Sequence, residues 1–275
     1  MFKRVVVACG LLGVAACAGT VPRDAVNQAP SNQPMRVLVF NIHAGKDAAG
    51  VSNLSRVADL IRSTGADLAL VQEVDRGTKR SGNVDQAEAM SAASGFPFAF
   101  GRSLDYDGGQ YGIAALARQG FIAQFTEALP VAPLQTRAGG SHEPRAALVV
   151  VVRTRLGNIT ALNTHLDASR DEGYRLQEVA KIIDLMGVTR KSRLPAIAAG
   201  DFNAEPGSEV HKRMLASGVR DAWMECGQGD GFTFPAHKPV KRIDYVFLGD
   251  PLHCTDARVI ETTISDHRPL LVTIR

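Results

Sequence analysis

The chain closes with "SDHRPLLVTIR", in which Asp266 and His267 stand side by side just ahead of the apolar residues that start at Leu270. A strand needs neither of them. Histidine ionises near neutral pH and is the side chain best suited to take a proton from water. Other proton-transfer and metal-ligand types recur at the ends of apolar runs. Asn41 closes "MRVLVFN", Glu73 closes "DLALVQE", His165 closes "GNITALNTH", and Asp201 with Asn203 closes "PAIAAGDFN". Asp244 sits inside "RIDYVFL", between Ile243 and Tyr245. One such residue commonly caps a turn or faces water. This many, all of reactive type, point to strand ends converging on one mouth.

The donor set narrows the chemistry. Glu73, Asp201 and Asp266 offer carboxylates, and Asn41 and Asn203 offer amide oxygens. Hard oxygen donors suit Mg²⁺, Mn²⁺ or Ca²⁺ rather than zinc. "HEPR" at His142 is not the H-E-x-x-H of a zinc protease, and no G-x-S-x-G elbow marks a serine esterase. "GGQYG" at Gly108 lacks the Lys-Ser/Thr of a phosphate-binding P-loop and reads as a loop.

The elements that must position these groups read as alternating strands and helices. Leu54, Val57, Ala58 and Ile61 follow helical spacing, with Gly65 where a helix end belongs. Leu176, Val179, Ala180 and Ile183 make a second helical face. "RAALVVVV" and "GNITALNTH" read as a strand pair, and "RPLLVTI" as the last strand. The pattern is α/β, and the hairpin-like pairs imply mixed sheets.

The N-terminus differs from the rest. Lys3 and Arg4 precede an apolar run from Val5 to Ala16 that is too short to span a membrane. The run ends "VAAC", which resembles the lipobox of bacterial lipoproteins and implies cleavage before Cys17 and lipidation of that cysteine. Residues 1–16 are thus expected to be a signal peptide, residues 17–34 a Pro-containing tether, and residues 35–275 one domain. Loss of Lys3 and Arg4 leaves 29 basic against 28 acidic residues, so the overall charge gives no basic excess for sequence-independent nucleic-acid binding. Cys226 and Cys254 remain, either as a disulfide in an oxidising compartment or as two buried thiols.

The motifs "FNIHAG", "LVQEVD", "NTHLD", "GDFN", "RIDYVF" and "SDHRP" stand in the order seen in the endonuclease/exonuclease/phosphatase superfamily of DNase I-like enzymes. The resemblance covers Met35 to Arg275. It implies a four-layered α/β sandwich with two central mixed β-sheets flanked by helices, and a Mg²⁺- or Mn²⁺-dependent phosphoesterase. By the same resemblance Glu73 is the principal metal ligand, with Asn41 beside it and Asp266 as a further metal contact. Asp201 and Asn203 position the nucleophile and the phosphate. His267 is the general base, Asp244 orients it, and His165 bonds a non-bridging phosphate oxygen. Tyr111 matches a position near the family's substrate pocket, although Ile113 stands where family members often carry a polar residue.

Some residues keep two readings. Arg145 reaches phosphate or forms a structural ion pair. His43 is expected in a loop, and Lys238, Lys241 and Arg242 on a solvated face. The expected substrate is a lipid or small-molecule phosphate ester met at the cell envelope, on the periplasmic side of the outer membrane. An exported nuclease and a catalytically inactive binding domain are the alternatives. No obligate protein partner is evident, and a monomer is expected.

Overall fold

The run Met35–Asn41 forms strand β1, and its side chains alternate between two cores. Val37 and Val39 face one, Leu38 and Phe40 the other. With both faces buried, the strand is continuously apolar. A computed structural model describes residues 33–130, 142–191 and 194–275. Cys17, the expected signal peptide and all but the last two residues of the expected tether lie outside the described residues.

Twelve strands form two six-stranded sheets among the described residues. The first has the order β11 (Cys254–Val259), β12 (Leu270–Ile274), β1, β2 (Leu68–Arg76), β4 (Gly109–Ala117), β3 (Phe98–Tyr106). The second has β5 (Phe121–Ala128), β6 (Ala146–Thr154), β7 (Gly157–His165), β8 (Ala196–Asp201), β10 (Asp244–Leu248), β9 (Arg220–Asp221). Each sheet contains one parallel pair, β1–β2 and β7–β8, and its other pairings are antiparallel. Helix α1 (Leu54–Ser63) connects the first parallel pair and α3 (Gly173–Lys191) the second. Parallel neighbours need such crossovers.

The sheets pack face to face over a core that includes Val37, Leu70, Ile113, Leu148, Ile197 and Val272. Val57 and Ile61 of α1, with Ala87 and Met90 of α2 (Gln86–Ser94), cover the outside of the first sheet. Val179 and Ile182 of α3, with Val210 and Met214 of α4 (Glu209–Ala216), cover the second. The result is the expected four-layered sandwich with two mixed sheets. At one edge, α5 (Ala222–Cys226) is joined to β11 by the Cys226–Cys254 disulfide, which decides between the two cysteine readings.

Three local expectations are corrected. The strand expected to stop at Glu73 continues to Arg76 through a bulge. Asp244 is the first residue of β10 rather than an interior one. The loop at Gly108 is a tight hairpin turn, with Asp107 at φ 49° and Gly108 at φ 82°, and β4 begins at Gly109. An Asp-Gly pair with two positive φ values suits the twist of a hairpin.

Candidate active site

All the strand ends singled out by sequence lie at one pole. β1 and β2 are parallel, so Asn41 and Glu73 emerge together. In β7–β8, His165 stands in register with Asp201. β10 runs antiparallel to β8 and starts there, with Asp244 opposite Asp201. His267 precedes β12, which runs antiparallel to β1.

The β2 bulge turns Glu73 into the mouth. Its register shifts between Val71 and Val74, and Glu73 sits at φ 58°. A non-glycine residue in that region costs about 1–3 kcal/mol and persists only where its surroundings enforce it. Here the enforcement crosses between sheets. Asn163 of β7 donates to the carbonyls of Val71 (3.0 Å) and Ala114 (2.9 Å), and accepts from Gln72 Nε2 at 2.7 Å. Backbone carbonyls at the irregular ladder therefore gain a buried side-chain partner. His43 (φ 53°), Ala44 (φ 51°) and Asn203 (φ 48°) are further left-handed residues beside site residues. Gly200 has a different constraint: a Cβ there would lie 1.9 Å from the Thr164 carbonyl oxygen of β7. The glycine of "GDFN" lets β8 approach closely and sets Asp201.

The Asn41 amide donates to Glu73 Oε1 at 3.0 Å and to Asp201 Oδ2 at 3.2 Å. Its oxygen accepts from the His43 backbone N–H, and the His43 side chain is exposed, in a short loop turn as expected. Asp244 Oδ2 meets His267 Nδ1 at 2.9 Å, while Asp244 Oδ1 is buried without a partner. His267 Nε2 lies 3.6 Å from Asp201 Oδ2, and His165 Nε2 lies 3.5 Å from the same oxygen. Asn203 donates its backbone N–H to Asp201 Oδ1 and its side-chain N–H to the Leu166 carbonyl. Asp266 is half-buried beside this group, within 3.2 Å of the Ser265 hydroxyl.

Burial, and then the neighbouring Asp244 charge, push the Asp201 carboxyl up to about 7; His267 and the Asn203 and Asn41 hydrogen bonds offset only part of this. Burial opposes a charge on His267, but Asp244 and then Asp201 more than compensate and raise it to about 10. Burial, then Arg145 and His267, hold His165 well below its usual value, so it is neutral. A neutral imidazole can donate one N–H to a substrate oxygen. Burial, and then Glu73, keep the Tyr111 hydroxyl protonated.

This pocket holds more carboxylate than its own cations neutralise, and the chemistry of its donors fits a divalent cation. Asp201, Asp244 and His267 each offer a ligand atom, all within 4.8 Å of one another, close enough to hold a metal ion. Full chelation through Nδ1 of His267 would break its bond to Asp244. The Glu73 and Asp201 carboxylates, joined through Asn41, leave that bond intact.

Arg145 takes the second of its two readings, and the expectation for Arg242 is corrected. Arg145 is buried and in contact with Glu143 at 2.6 Å, off the hydrogen-bonding angle, so the pair is ionic. Arg242 is not on a solvated face. It is buried, bonds Asp221 at 2.8 Å and lies over the Tyr245 ring, whereas Lys238 and Lys241 are exposed. The sequence reading also missed Asn163 and Gln72. Their only signal was two amides inside otherwise apolar runs.

Residues 38–267 match the Endonuclease/Exonuclease/phosphatase family. The chain belongs to this family. Family members are hydrolases of phosphoester bonds. Among solved structures, the mannosyl-6-phosphatase of Bacteroides thetaiotaomicron superposes with a TM-score of 0.72 at 19% identity, over 88% of this chain and 99% of that one. The endonuclease/exonuclease/phosphatase of Beutenbergia cavernae gives 0.70 at 21%, over 88% and 71%. The human nocturnin catalytic domain, with bound sulfate, gives 0.65 at 18%, over 88% and 94%. These likenesses establish the shared fold.

Proposed function

We propose that the protein hydrolyses small-molecule phosphate esters with the help of Mg²⁺ or Mn²⁺, using water deprotonated by His267. One observation carries this reading: a buried carboxylate–histidine group, Asp201–Asp244–His267, at a mouth with uncompensated negative charge. Asp244 holds the imidazole through Nδ1; with part of the negative charge that keeps a proton on His267 answered by a bound cation, Nε2 would be free to accept the proton from water. Asp201 and Asn203 orient the water and the phosphate. Neutral His165 donates to a non-bridging oxygen. Glu73 and Asp201, with Asn41 between them and Asp266 nearby, would hold the cation. When bound, it supplies charge neutralisation for the phosphate oxygens. Tyr111 and Arg145 back this wall, and Arg145 supports the site electrostatically while paired with Glu143.

The mannosyl-6-phosphatase neighbour supports a phosphomonoester of a small compound. We also propose processing before Cys17, lipid anchoring in the cell envelope, and a monomeric enzyme. The test is hydrolysis of phenyl phosphate and bis(p-nitrophenyl) phosphate with Mg²⁺ or Mn²⁺, beside nicking of plasmid DNA. EDTA is expected to abolish turnover and added cation to restore it. Full turnover in EDTA, or plasmid nicking that outpaces both small esters, would overturn the proposal.

A further inference from the structure

Next to the catalytic group is a cavity of about 570 Å³, a size usual for small-molecule sites. Asn203 and Phe234 lie on its wall, and the Phe234 ring is 4.9 Å from the His267 imidazole. A substrate with its phosphate at Asp201 and His267 therefore extends into this space. Arg170 and Lys241 line it, as do Glu172 and Glu205. None of these four side chains has an ion-pair partner among the described residues. The cavity thus presents free donors and free acceptors of opposite charge around one aromatic face.

That lining discriminates among ligands. A second phosphate would meet Glu172 and Glu205. A quaternary ammonium headgroup would meet Arg170 and Lys241 and find one ring instead of a cage. A nucleic-acid strand needs a cationic track with several stacking rings, and two cations balanced by two anions do not make one. A polyol suits both sets, because every hydroxyl donates and accepts. The C–H face of such a ring can lie on Phe234.

We propose that this cavity receives the polyhydroxylated ring of the substrate, so that the ester cleaved at the mouth is the phosphate of a sugar or a cyclitol. This rests on the phosphoesterase reading, and two separable measurements test it. In the first, kcat/KM for hexose 6-phosphate is expected to fall about tenfold for each of Arg170→Ala and Lys241→Ala, the scale of a hydrogen bond to a charged group. Phenyl phosphate, which has no ring hydroxyls, is expected to change less than about twofold. Equal losses on both esters, or no loss on either, would overturn the proposal.

The second measurement needs no turnover. Saturation-transfer NMR with hexose 6-phosphate on the cation-loaded His267→Ala protein is expected to mark the ring protons. The mark should vanish when Arg170→Ala and Lys241→Ala are added. No mark in the first protein, or a mark that survives in the second, rejects the cavity. A mark that behaves as expected in an enzyme that cleaves no ester supports the cavity and rejects the phosphoesterase reading instead. Turnover of free hexose or inositol phosphate, against that of phosphatidylinositol vesicles, tells a soluble source of the ring from a lipid-borne one.

Discussion

Neighbouring strands β9 and β10 of the second sheet each supply the aspartate of a buried histidine–aspartate pair closed at 2.9 Å, and the two pairs have opposite characters. In the first, His211 Nε2 meets Asp221 Oδ2, and His211 Nδ1 accepts from the Gly207 backbone N–H. Arg242 binds the same Asp221 oxygen, and Asp221 Oδ1 caps the Trp223 N–H at the start of α5. Burial would push the Asp221 carboxyl up, but His211 and Arg242 hold it below the ordinary range. Tyr245 and Phe247 pack on the His211 ring. In the second pair, His267 has only Asp244 on one nitrogen and faces Asp201 with the other. Among the described residues no arginine forms an ion pair with these acids, and the Asp201 carboxyl moves up rather than down. A buried His–Asp pair is therefore not catalytic by itself. What matters is whether its charge is already answered.

Removing the two histidines gives the largest expected contrast. His267→Ala is expected to lower kcat by about 10²- to 10⁴-fold, the usual share of a general base, with the unfolding midpoint nearly unchanged. His211→Ala should do the reverse, losing stability while each folded molecule turns over normally. Kinetics and urea unfolding of both variants check this. A large kcat loss in His211→Ala would end the distinction.

Asp221→Ala comes next. It leaves Arg242 buried and unpaired, at a cost of about 3–5 kcal/mol, read as a lower thermal midpoint. Asp201→Asn removes excess negative charge instead and should cost little stability while abolishing turnover. Equal destabilisation by the two would show that the mouth charge is balanced after all.

Glu178 of α3 is another buried acid, which accepts the Asp167 backbone N–H and has no histidine partner among the described residues. Burial is the main cause that raises its carboxyl to about 8. Its folded value lies above its unfolded one, so its stabilisation is complete below about pH 4.5 and is lost as pH rises through about 8. Glu178→Gln is expected to flatten this alkaline loss, up to a few kcal/mol, in unfolding free energies measured between pH 5 and 9. Parallel curves for the two proteins would refute that assignment.

The smallest effect concerns the tuning of the open pair. Asp244 raises the His267 value against burial, so Asp244→Asn should lower it. The acid limb of the kcat/KM profile is then expected to move to lower pH by about one unit. A limb that stays in place would detach Asp244 from the base.

The polar residues were readable because they sit where largely apolar runs begin or end, and their grouping follows from strands of two packed sheets opening at one pole. Chain order hid the rest. Strand β3 went unread because its burial is uneven, and β5 because it lies at a sheet edge and is largely exposed; β4 is buried from Tyr111 to Ala117 but opens on Gly109 and carries Gly112, which read as a loop. The Glu73 bulge is invisible locally, since its cause is Asn163, distant in sequence. Arg242 looked like its exposed neighbour Lys241 because an ion pair with Asp221 leaves no mark on hydropathy. His211 was not singled out for the same reason.

The direction of β1 has a consequence for geometry on a surface. The strand begins at Met35 and delivers Asn41 to the mouth, about 20 Å away at roughly 3.3 Å per residue. The chain thus enters the sandwich at the end remote from its cleft. Were the chain anchored ahead of Met35, as proposed, the anchor would grip that far end, as a stalk holds a cup by its base. A molecule held this way would open toward the surrounding fluid rather than toward the lipid, and would sample what diffuses past.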